Sequence, residues 1–283
     1  MTLVLFVCGV FGLWVFPGTS LDQVAQSGSP QNLRVHFLDV GQGDSIFIQT
    51  PDGVEVLIDG GSNGTVLRAL AQQMSFFDRK IDMIVGTHPD SDHIGGLVDV
   101  LGRYEVDTIL VTENISDTST ARRYFLAVDT EQAEVVYART GQEFALGEFV
   151  KLVVLYPESA VADMESNASS IVLQLVYGET EVMLTGDAPK RIEEYLVLTN
   201  GEHLQSDVLK LGHHGSRTST SELFLQEVNP THAVVSAEKD GRYGHPHVEV
   251  TDLLFNYGVE TYSTAEEGTV TFESDGKHVW LKK

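Results

Sequence analysis

Short clusters of histidine and aspartate in this sequence carry the residue types that bind divalent metal ions. His88, Asp90, Asp92 and His93 lie within six residues of one another in the segment Thr87–Gly96, directly after an apolar stretch. Imidazole nitrogens and carboxylate oxygens at this spacing predict a loop that gathers ligands for two adjacent cations. For this segment taken alone, an aspartate-rich turn that caps a helix is the alternative.

Three later segments repeat the pattern of an apolar stretch followed by candidate ligands. Asp187 ends a Leu-Thr-Gly-Asp sequence, where its carboxylate could bridge two ions, while His213 and His214 are adjacent and His245 and His247 lie two residues apart. Together with His88 and His93, these four make six of the ten histidines, and the six fall in three glycine-flanked segments. We expect ordinary surface or hydrogen-bonded roles for the isolated histidines, which are His36, His203, His232 and His278.

Apolar and alternating runs predict the strands and helices that must position these clusters. A strand meander is expected over 34–39, 44–50 and 55–59, followed by a helix over 65–77 and a buried strand over 83–86. Later strands are expected at 150–156, 170–177, 181–185, 208–211 and 233–236, with helices at 190–198 and 221–227. Because the polar clusters follow strand ends, the pattern predicts a layered sheet-and-helix fold with its site along one sheet edge.

The composition limits the class of protein. The 283 residues are 42% hydrophobic and 21% charged, which excludes collagen-like and disordered chains. Lys and Arg number 18 against 41 Asp and Glu, so the formal net charge is −23 and bulk electrostatics would repel a polyanion or an anionic membrane. Cys8 is the only cysteine, which excludes an internal disulfide and leaves His, Asp and Glu as metal ligands.

The chain begins with an apolar run, Leu3–Phe16, that ends at Pro17 and Gly18 and precedes a polar stretch. At roughly 14 residues the run is short for a membrane span and typical of a signal-peptide core. We expect residues 1–32 to be a signal or anchor segment with a linker, and residues 33–283 to form one domain. No Lys or Arg precedes the run and no clear cleavage site follows it, so an uncleaved anchor and a boundary cut from a longer membrane protein stay open.

Seven segments support a resemblance to a known family. They are FLDVGQGDS (37–45), LIDGG (57–61), THPDSDHIGG (87–96), Asn167 with SIVL (170–173), LTGD (184–187), LKLGHHGS (209–216) and YGHPH (243–247). Their order and approximate spacing resemble the metallo-β-lactamase fold, and within it the hydrolase domain of ComEC-type competence proteins, from Leu33 to Leu281. The resemblance implies an α/β (α+β) hydrolase domain built as a four-layer αββα sandwich, with a metal centre at the sheet edges.

The resemblance also implies a set of metal ligands, and this sequence departs from the family pattern at two positions. The implied ligands are His88, Asp90, Asp92, His93, Asp187 and one histidine of the pair His213 and His214. Asp90 stands where lactamase-like members have a second histidine, and Asn167 or its neighbourhood where many have a further one. Because oxygen ligands favour Mn²⁺ or Mg²⁺ relative to an all-imidazole site, which suits Zn²⁺, we expect two divalent ions drawn from Mn²⁺, Zn²⁺ and Mg²⁺.

Metal-assisted hydrolysis is the chemistry that such a site performs. Two cations lower the pKa of a shared water and stabilise the charge that develops on the attacked centre. The candidate catalytic residues are Asp92, Asp187 and His245. We expect Asp187 to bridge the ions, Asp92 to hold the water or ligate the second ion, and Asp59 to orient a ligating histidine through its other ring nitrogen. His245 is expected to point into the site, as a ligand or a phosphate-positioning residue, with His247 more peripheral.

Small residues beside the clusters could bind a phosphate oxygen through backbone and side-chain donors. The candidates are Gly41, Gln42, Gly43, Asn167, Gly215 and Ser216. A plain hairpin turn is the alternative for the glycine loop.

The resemblance favours a phosphodiesterase or nuclease that acts on DNA outside the membrane, secreted or anchored facing outward. The charge of −23 argues against a tight DNA binder, since only a small basic patch, Lys210, Arg217, Lys239 and Arg242, lies near the clusters. DNA or another phosphodiester is the expected substrate, a membrane channel partner stays open, and no stable protein partner is evident. The alternatives are a hydrolase of small esters, lactones or β-lactams on the same centre, and a non-catalytic binding module.

Overall fold

The computed structural model describes residues 13–15, 31–239, 241 and 243–282. Apart from residues 13–15, 31 and 32, the expected leader and linker lie outside this part of the chain, as do Cys8 and Arg242. In the described part, no helix combines the length and the apolar character that a membrane crossing requires.

The helices and strands follow one another in a mixed order. The first are β1 (Leu13–Val15), β2 (Leu33–Phe37), β3 (Ile46–Gln49), β4 (Glu55–Ile58), α1 (Thr65–Gln73), β5 (Lys80–Gly86), α2 (Ser91–Ile94), α3 (Leu97–Leu101), β6 (Glu105–Val111), α4 (Ser119–Thr130) and β7 (Glu134–Tyr137). The next are β8 (Glu143–Ala145), β9 (Val150–Tyr156), β10 (Val172–Tyr177), β11 (Thr180–Leu184), α5 (Lys190–Asn200), β12 (Val208–Lys210), α6 (Glu222–Val228) and β13 (His232–Val235). The last are α7 (Val248–Asn256), β14 (Glu260–Ser263), α8 (Thr264–Glu267), β15 (Val270–Ser274) and β16 (Val279–Leu281), and single 3-10 turns lie at Asn167–Ser169, Gly201–Leu204 and Gly212–Gly215.

Within the described residues the strands form two eight-stranded sheets. The first has the order β16-β15-β2-β3-β4-β5-β6-β7, and the second has the order β1-β8-β9-β10-β11-β12-β13-β14. Strands β4 to β7 are mutually parallel, and so are β11 to β14. Because parallel strands end at a common edge, the loops after β5, β11, β12 and β13 can converge on one region of the molecule.

Three apolar cores hold the layers together. The inner faces of the two sheets pack against each other through residues such as Phe37, Ile58 and Leu173. Helices α1, α3 and α4 cover the outer face of the first sheet, and α5, α6 and α7 cover that of the second. The arrangement confirms the predicted αββα sandwich, because each sheet buries one face on its partner and the other under helices.

Several element boundaries differ from the sequence-based prediction. Helix α1 ends at Gln73 instead of residue 77, and Phe76 and Phe77 beyond it are exposed. Strand β5 starts three residues earlier than expected, since Ile81 pairs with Val106 of β6. The site lies at the carboxyl ends of strands from both sheets, so the expectation of a single sheet edge was too narrow.

Candidate metal centre

The segment Thr87–Gly96 leaves the buried strand β5 and turns directly into helix α2. Asp90 is the N-cap residue of this helix, and Asp92 and His93 lie in its first turn. Tight packing fixes the turn, since a Cβ atom at Gly96 would lie 2.0 Å from the backbone oxygen of Gly60. Glycine is therefore required where the chain passes this close to the loop after β4.

His88 and His93 form the buried floor of the candidate metal centre. Both side chains are inaccessible to solvent, and their ring centroids are 4.1 Å apart. Nδ1 of His88 lies 3.0 Å from Thr87 Oγ1, and Nδ1 of His93 lies 2.7 Å from Asp59 Oδ2. Nε2 of each ring has no hydrogen-bond partner among the described residues. Both rings thus present a nitrogen to the same interior space.

Asp59 holds His93 from the end of β4. Its backbone is left-handed, with φ of 58°, a conformation that Asn and Asp adopt more readily than most residues. Oδ1 accepts a hydrogen bond of 2.9 Å from the Thr87 backbone N–H, and Oδ2 accepts one of 2.7 Å from the Thr87 hydroxyl. With these bonds the carboxylate is fixed, and it positions the His93 ring through Nδ1.

Asp187 lies at the centre of the cluster, three residues after the end of β11. Its Oδ1 lies 3.3 Å from Nε2 of His93. Its Oδ2 lies 3.7 Å, 3.8 Å and 3.9 Å from the Nε2 atoms of His214, His213 and His88, respectively. The side chain is buried, and Oδ1 has no hydrogen-bond partner in the described part of the molecule. Asp187 therefore faces histidines from both sheets.

His213 and His214 occupy a strained turn after β12. Their φ angles are 49° and 57°, and Gly215 follows at 80°, so three consecutive residues are left-handed. Each such non-glycine residue costs on the order of 1 kcal/mol or more, and strain of this kind concentrates at functional sites. The turn brings both rings to Asp187, which leaves both histidines as candidate ligands.

The two rings have different surroundings. His214 is buried, and its Nδ1–H faces Asp44 Oδ1 at 3.1 Å and the Ser236 carbonyl at 3.0 Å. His213 is partly exposed, and its Nδ1 lies 3.1 Å from Thr218 Oγ1 and 3.4 Å from Asn167 Nδ2. Asn167 therefore contacts a histidine of the cluster.

Two carboxylates form the solvent side of the centre. The Asp90 side chain is 41% exposed, and its Oδ1 accepts a 2.6 Å hydrogen bond from the Ser166 hydroxyl. Asp92 is 26% exposed, and its Oδ2 accepts a 3.2 Å bond from Gln42 Nε2 and lies 3.4 Å from His214 Nε2. Both are placed where solvent or substrate can reach them.

His245 lies beside the pair of adjacent histidines, and His247 lies further out. The ring of His245 is 5.6 Å from that of His213 and 6.1 Å from that of His214, and its buried Nδ1 has no hydrogen-bond partner in the described part. His247 Nδ1 instead accepts a 3.1 Å bond from the Arg217 backbone N–H.

The candidate phosphate-binding groups make several contacts within the protein. The Gly41 N–H donates to Asp39 Oδ1 at 3.1 Å, and Ser216 Oγ accepts a 3.0 Å bond from the Thr218 hydroxyl. A Cβ atom at Gly43 would lie 1.9 Å from the backbone oxygen of Asp92, so this glycine lets the loop pack against α2. Gly215 likewise packs against Pro246.

The candidate ligand atoms of this site suit a metal ion. The buried side-chain atoms without a hydrogen-bond partner in the described residues include His88 Nε2, His93 Nε2, Asp187 Oδ1, His214 Nε2 and His245 Nδ1. Leaving a buried polar atom unpaired costs about 1–3 kcal/mol, and the first four of these atoms belong to Asp187 and to three side chains that each lie within 4 Å of its carboxylate, so one common partner would relieve them together. Candidate ligand atoms of Asp44, His93, Asp187 and His214 also lie within 4.8 Å of one another. A divalent cation satisfies such atoms, and the structure therefore contains a candidate metal site.

Burial and mutual charge set the protonation of these groups. Burial lowers the pKa of His88 to about 4, and the neighbouring His93 acts in the same direction. Burial would raise the pKa of Asp187, but the charges of His93 and His214 outweigh it and hold this pKa well below its usual range. Against the effect of burial, the surrounding carboxylates raise the pKa of His93 well above its usual range and that of His214 to about 9. Metal binds a neutral imidazole and an ionised carboxylate, so binding here would release protons from these two rings.

The residues that hold the ligands in place were not predicted from the sequence. Asp44, Thr87, Ser166 and Thr218 each bond a candidate ligand, and the first two were quoted only as parts of motifs. Lys210 was counted in the small basic patch near the clusters, but it cannot contact a substrate there, since its side chain is fully buried against Asp44. A lysine within the apolar run of β12 was the available signal, because an unpaired charge is not tolerated in a core.

Comparison with known proteins identifies relatives of this chain. The sequence model that describes the metallo-beta-lactamase superfamily matches residues 38–238 of this chain. ComE operon protein 3 of Bacillus subtilis is 30% identical over 256 residues, which cover 84% of this chain and 33% of that protein. Competence protein ComA of Neisseria gonorrhoeae is 30% identical over 245 residues, which cover 86% of this chain and 33% of that protein. The chain thus spans about a third of the length of these relatives.

A solved structure shows the same fold. The metallo-beta-lactamase fold protein YhfI of Bacillus subtilis superposes with a TM-score of 0.55 at 12% identity, covering 87% of this chain and 99% of that one. Together with the sequence matches, this likeness confirms the resemblance predicted from the seven motif segments.

Proposed function

We propose that the chain, which belongs to the metallo-beta-lactamase superfamily, is a hydrolase that cleaves phosphodiester bonds in DNA with two divalent cations. The observation that carries the proposal is that Nε2 of His88, His93 and His214, which have no hydrogen-bond partner among the described residues, all lie within 4 Å of the buried Asp187 carboxylate. The phosphodiester specificity is supported by the likeness to a competence protein over most of this chain.

The residues of the centre divide into two groups by their surroundings. His88, His93, Asp187 and His214 are buried and would hold the cations together with the more exposed Asp90 and Asp92. Bound cations would supply an activated water and neutralise the charge that develops on the oxygens of the attacked phosphate. Asp59 and Asp44 orient the imidazoles of His93 and His214.

Polar groups at the rim would hold the substrate. Asn167 and Thr218 flank His213, and His245 lies beside it with a ring nitrogen that has no partner among the described residues. These groups suit a phosphate better than an acyl or lactam substrate, which would need an apolar pocket. The net charge of −23 predicts weak, strongly salt-dependent capture of DNA, since phosphate contacts normally supply most of the affinity.

The proposed place of action is outside the membrane, with the domain secreted or anchored facing outward. The apolar run at the start of the sequence supports this location. A membrane channel that passes DNA to the domain is the partner that this location suggests.

Hydrolysis of bis(p-nitrophenyl) phosphate and of single-stranded DNA tests the proposal. The full chain is assayed with Mn²⁺, Zn²⁺ or Mg²⁺ beside the variant Asp187→Ala. We expect metal-dependent turnover that falls by at least about a hundredfold in the variant, because the group facing four histidines is lost. Asp117→Ala is the matched control, since that aspartate is 96% exposed and pairs with Arg122 on the surface.

Two other outcomes would contradict the proposal and favour a different function. Turnover of nitrocefin or a thioester without phosphodiesterase activity would assign the centre to small esters or lactams. A purified chain that holds fewer than one metal ion and hydrolyses neither class of substrate would instead be a binding module.

A further inference from the structure

Lys210 is a buried charge directly behind the metal centre. It ends strand β12, and its side chain has no solvent exposure. Nζ lies 2.7 Å from Asp44 Oδ2 and donates a 2.9 Å hydrogen bond to the Leu211 carbonyl. A buried ammonium is tolerated only when it is paired and hydrogen-bonded, and both conditions hold here.

Asp44 connects this lysine to His214. One carboxylate oxygen faces Lys210, and the other lies 3.1 Å from His214 Nδ1. The Ser236 carbonyl, 3.0 Å from the same nitrogen, is a second acceptor. With two acceptors facing it, Nδ1 must carry the proton, and the lone pair of the neutral ring then lies on Nε2.

The other end of the His214 ring faces the centre. Nε2 lies 3.4 Å from Asp92 Oδ2 and 3.7 Å from Asp187 Oδ2, and it has no hydrogen-bond partner among the described residues. The ring therefore stands between a fixed acceptor on one side and the candidate ligands on the other.

We propose that Lys210 is a positioning residue of the metal centre, which through Asp44 fixes the His214 ring with Nδ1 as donor and Nε2 as ligand. The inference rests on the metal centre of the proposed function but not on its substrate. Asp44 is close enough to His93, Asp187 and His214 to be a ligand by distance alone. Lys210 binds one of its oxygens and His214 the other, which keeps Asp44 out of the ligand set.

A purely structural role for Lys210 makes a different prediction. In that case removing the lysine lowers stability but leaves the folded protein with its normal metal site. A positioning role changes the site itself, because the partners that orient a metal-bound histidine typically alter metal affinity 10–100-fold, roughly, when they are removed.

Cobalt binding by the full chain separates the two roles. The wild type, Lys210→Met and the control Lys151→Met are first shown to be folded by near-ultraviolet circular dichroism. Co²⁺ affinity is then measured by competition with a chelator, and the visible absorption of bound Co²⁺ reports its ligands. Lys151 is the matched control, because it pairs at 3.0 Å with Glu143 on the surface.

We expect Lys210→Met to bind Co²⁺ at least about tenfold more weakly and with an altered absorption spectrum, and Lys151→Met to match the wild type. Wild-type affinity and spectrum in folded Lys210→Met would overturn the proposal. Neither readout depends on hydrolysis, so failure of this inference is distinct from failure of the proposed phosphodiesterase activity.

A measurement on the wild type covers the case in which Lys210→Met does not fold. In the Zn²⁺-loaded chain labelled with ¹⁵N-histidine, long-range proton–nitrogen correlations show which ring nitrogen of His214 carries hydrogen. The signals of His214 are those missing from His214→Gln. We expect hydrogen on Nδ1, and hydrogen on Nε2 would overturn the proposal.

Discussion

The two sides of the metal centre hold their histidines in different ways. On one side Asp59 orients His93, and both residues follow strands of the first sheet, 34 positions apart in the sequence. On the other side Asp44 orients His214 across 170 positions, from the first sheet to the second. Neutral donors of Thr87 complete the bonding of Asp59, whereas Asp44 is paired with the buried charge of Lys210.

The difference follows from the donors that the chain can supply locally. Asp59 accepts three hydrogen bonds, two of them from Thr87, which directly follows the neighbouring strand β5. Asp44 lies in the loop between β2 and β3, and its side chain bonds only His214 and Lys210 in the described part of the molecule. A buried carboxylate with few neutral donors requires a counter-charge. The side that joins the two sheets should therefore be the more sensitive to charge.

The largest effect is expected from Lys210→Met, measured as the free energy of unfolding in urea with chelator present. The variant leaves the Asp44 carboxylate buried without its cation, which costs about 3–5 kcal/mol. Lys151→Met should lose less than about 1 kcal/mol, since its ion pair is exposed. Removing both charges, in Lys210→Met with Asp44→Asn, should recover part of the loss. Equal losses in the two single variants would contradict the comparison.

The stability of the protein is expected to depend on pH through Glu193, on the side of the centre that carries His213 and His214. Glu193 accepts hydrogen bonds from the backbone N–H groups of Thr220 and Ser221, in the loop that follows these histidines. Burial raises the pKa of Glu193 from its ordinary value of 4.5 to about 7, although the two hydrogen bonds act to lower it. The folded state then binds the proton more tightly than the unfolded state, so stability falls as the pH rises from 4.5 to 7, by up to about 3 kcal/mol.

Urea unfolding at several pH values, with wild type and Glu193→Gln compared, checks this dependence. The difference between the two curves removes the contributions of all other titrating groups. We expect the wild type to lose more stability than the variant across the window. Parallel curves would show that the pKa of Glu193 is the same in the folded and unfolded states, and would contradict the prediction.

Asp59→Asn tests the side that relies on neutral donors. The amide can replace only one carboxylate oxygen, and an N–H₂ group in place of Oδ2 would face the Thr87 hydroxyl and His93 Nδ1. Metal affinity should fall 10–100-fold, roughly, as measured by chelator competition. The backbone should be unaffected, because asparagine accepts the left-handed φ of 58° at this position. Unchanged affinity would mean that Asp59 does not orient His93.

The smallest effect is expected from Thr87→Val, which keeps the shape of the side chain and removes one neutral donor. Asp59 retains the Thr87 backbone N–H and His93, but His88 Nδ1 loses the Thr87 hydroxyl as its partner. The expected loss is therefore about 1–2 kcal/mol, measured by thermal unfolding. Metal affinity should change less than in Asp59→Asn. A loss as large as that of Lys210→Met would remove the distinction between neutral and charged support.

The features that could be predicted from the sequence are those encoded over short stretches. Strand β5 and the loop with His88 and His93 form one continuous segment, so hydrophobic pattern and residue type were enough to predict them. The end of α1 was missed, because Phe76 and Phe77 continue the apolar pattern but lie exposed beyond the helix. Pattern alone does not show whether an apolar residue finds a surface to pack on.

The sequence by itself determined the types of the candidate ligands, their order along the chain and the alternation of strands and helices that carries them. Only the tertiary structure decided that Asp44 bonds His214, that Lys210 is buried behind them and that His213 and His214 both reach Asp187. The reason is physical. Local periodicity reports which face of an element is buried, whereas contacts between residues 170 positions apart depend on how two sheets pack.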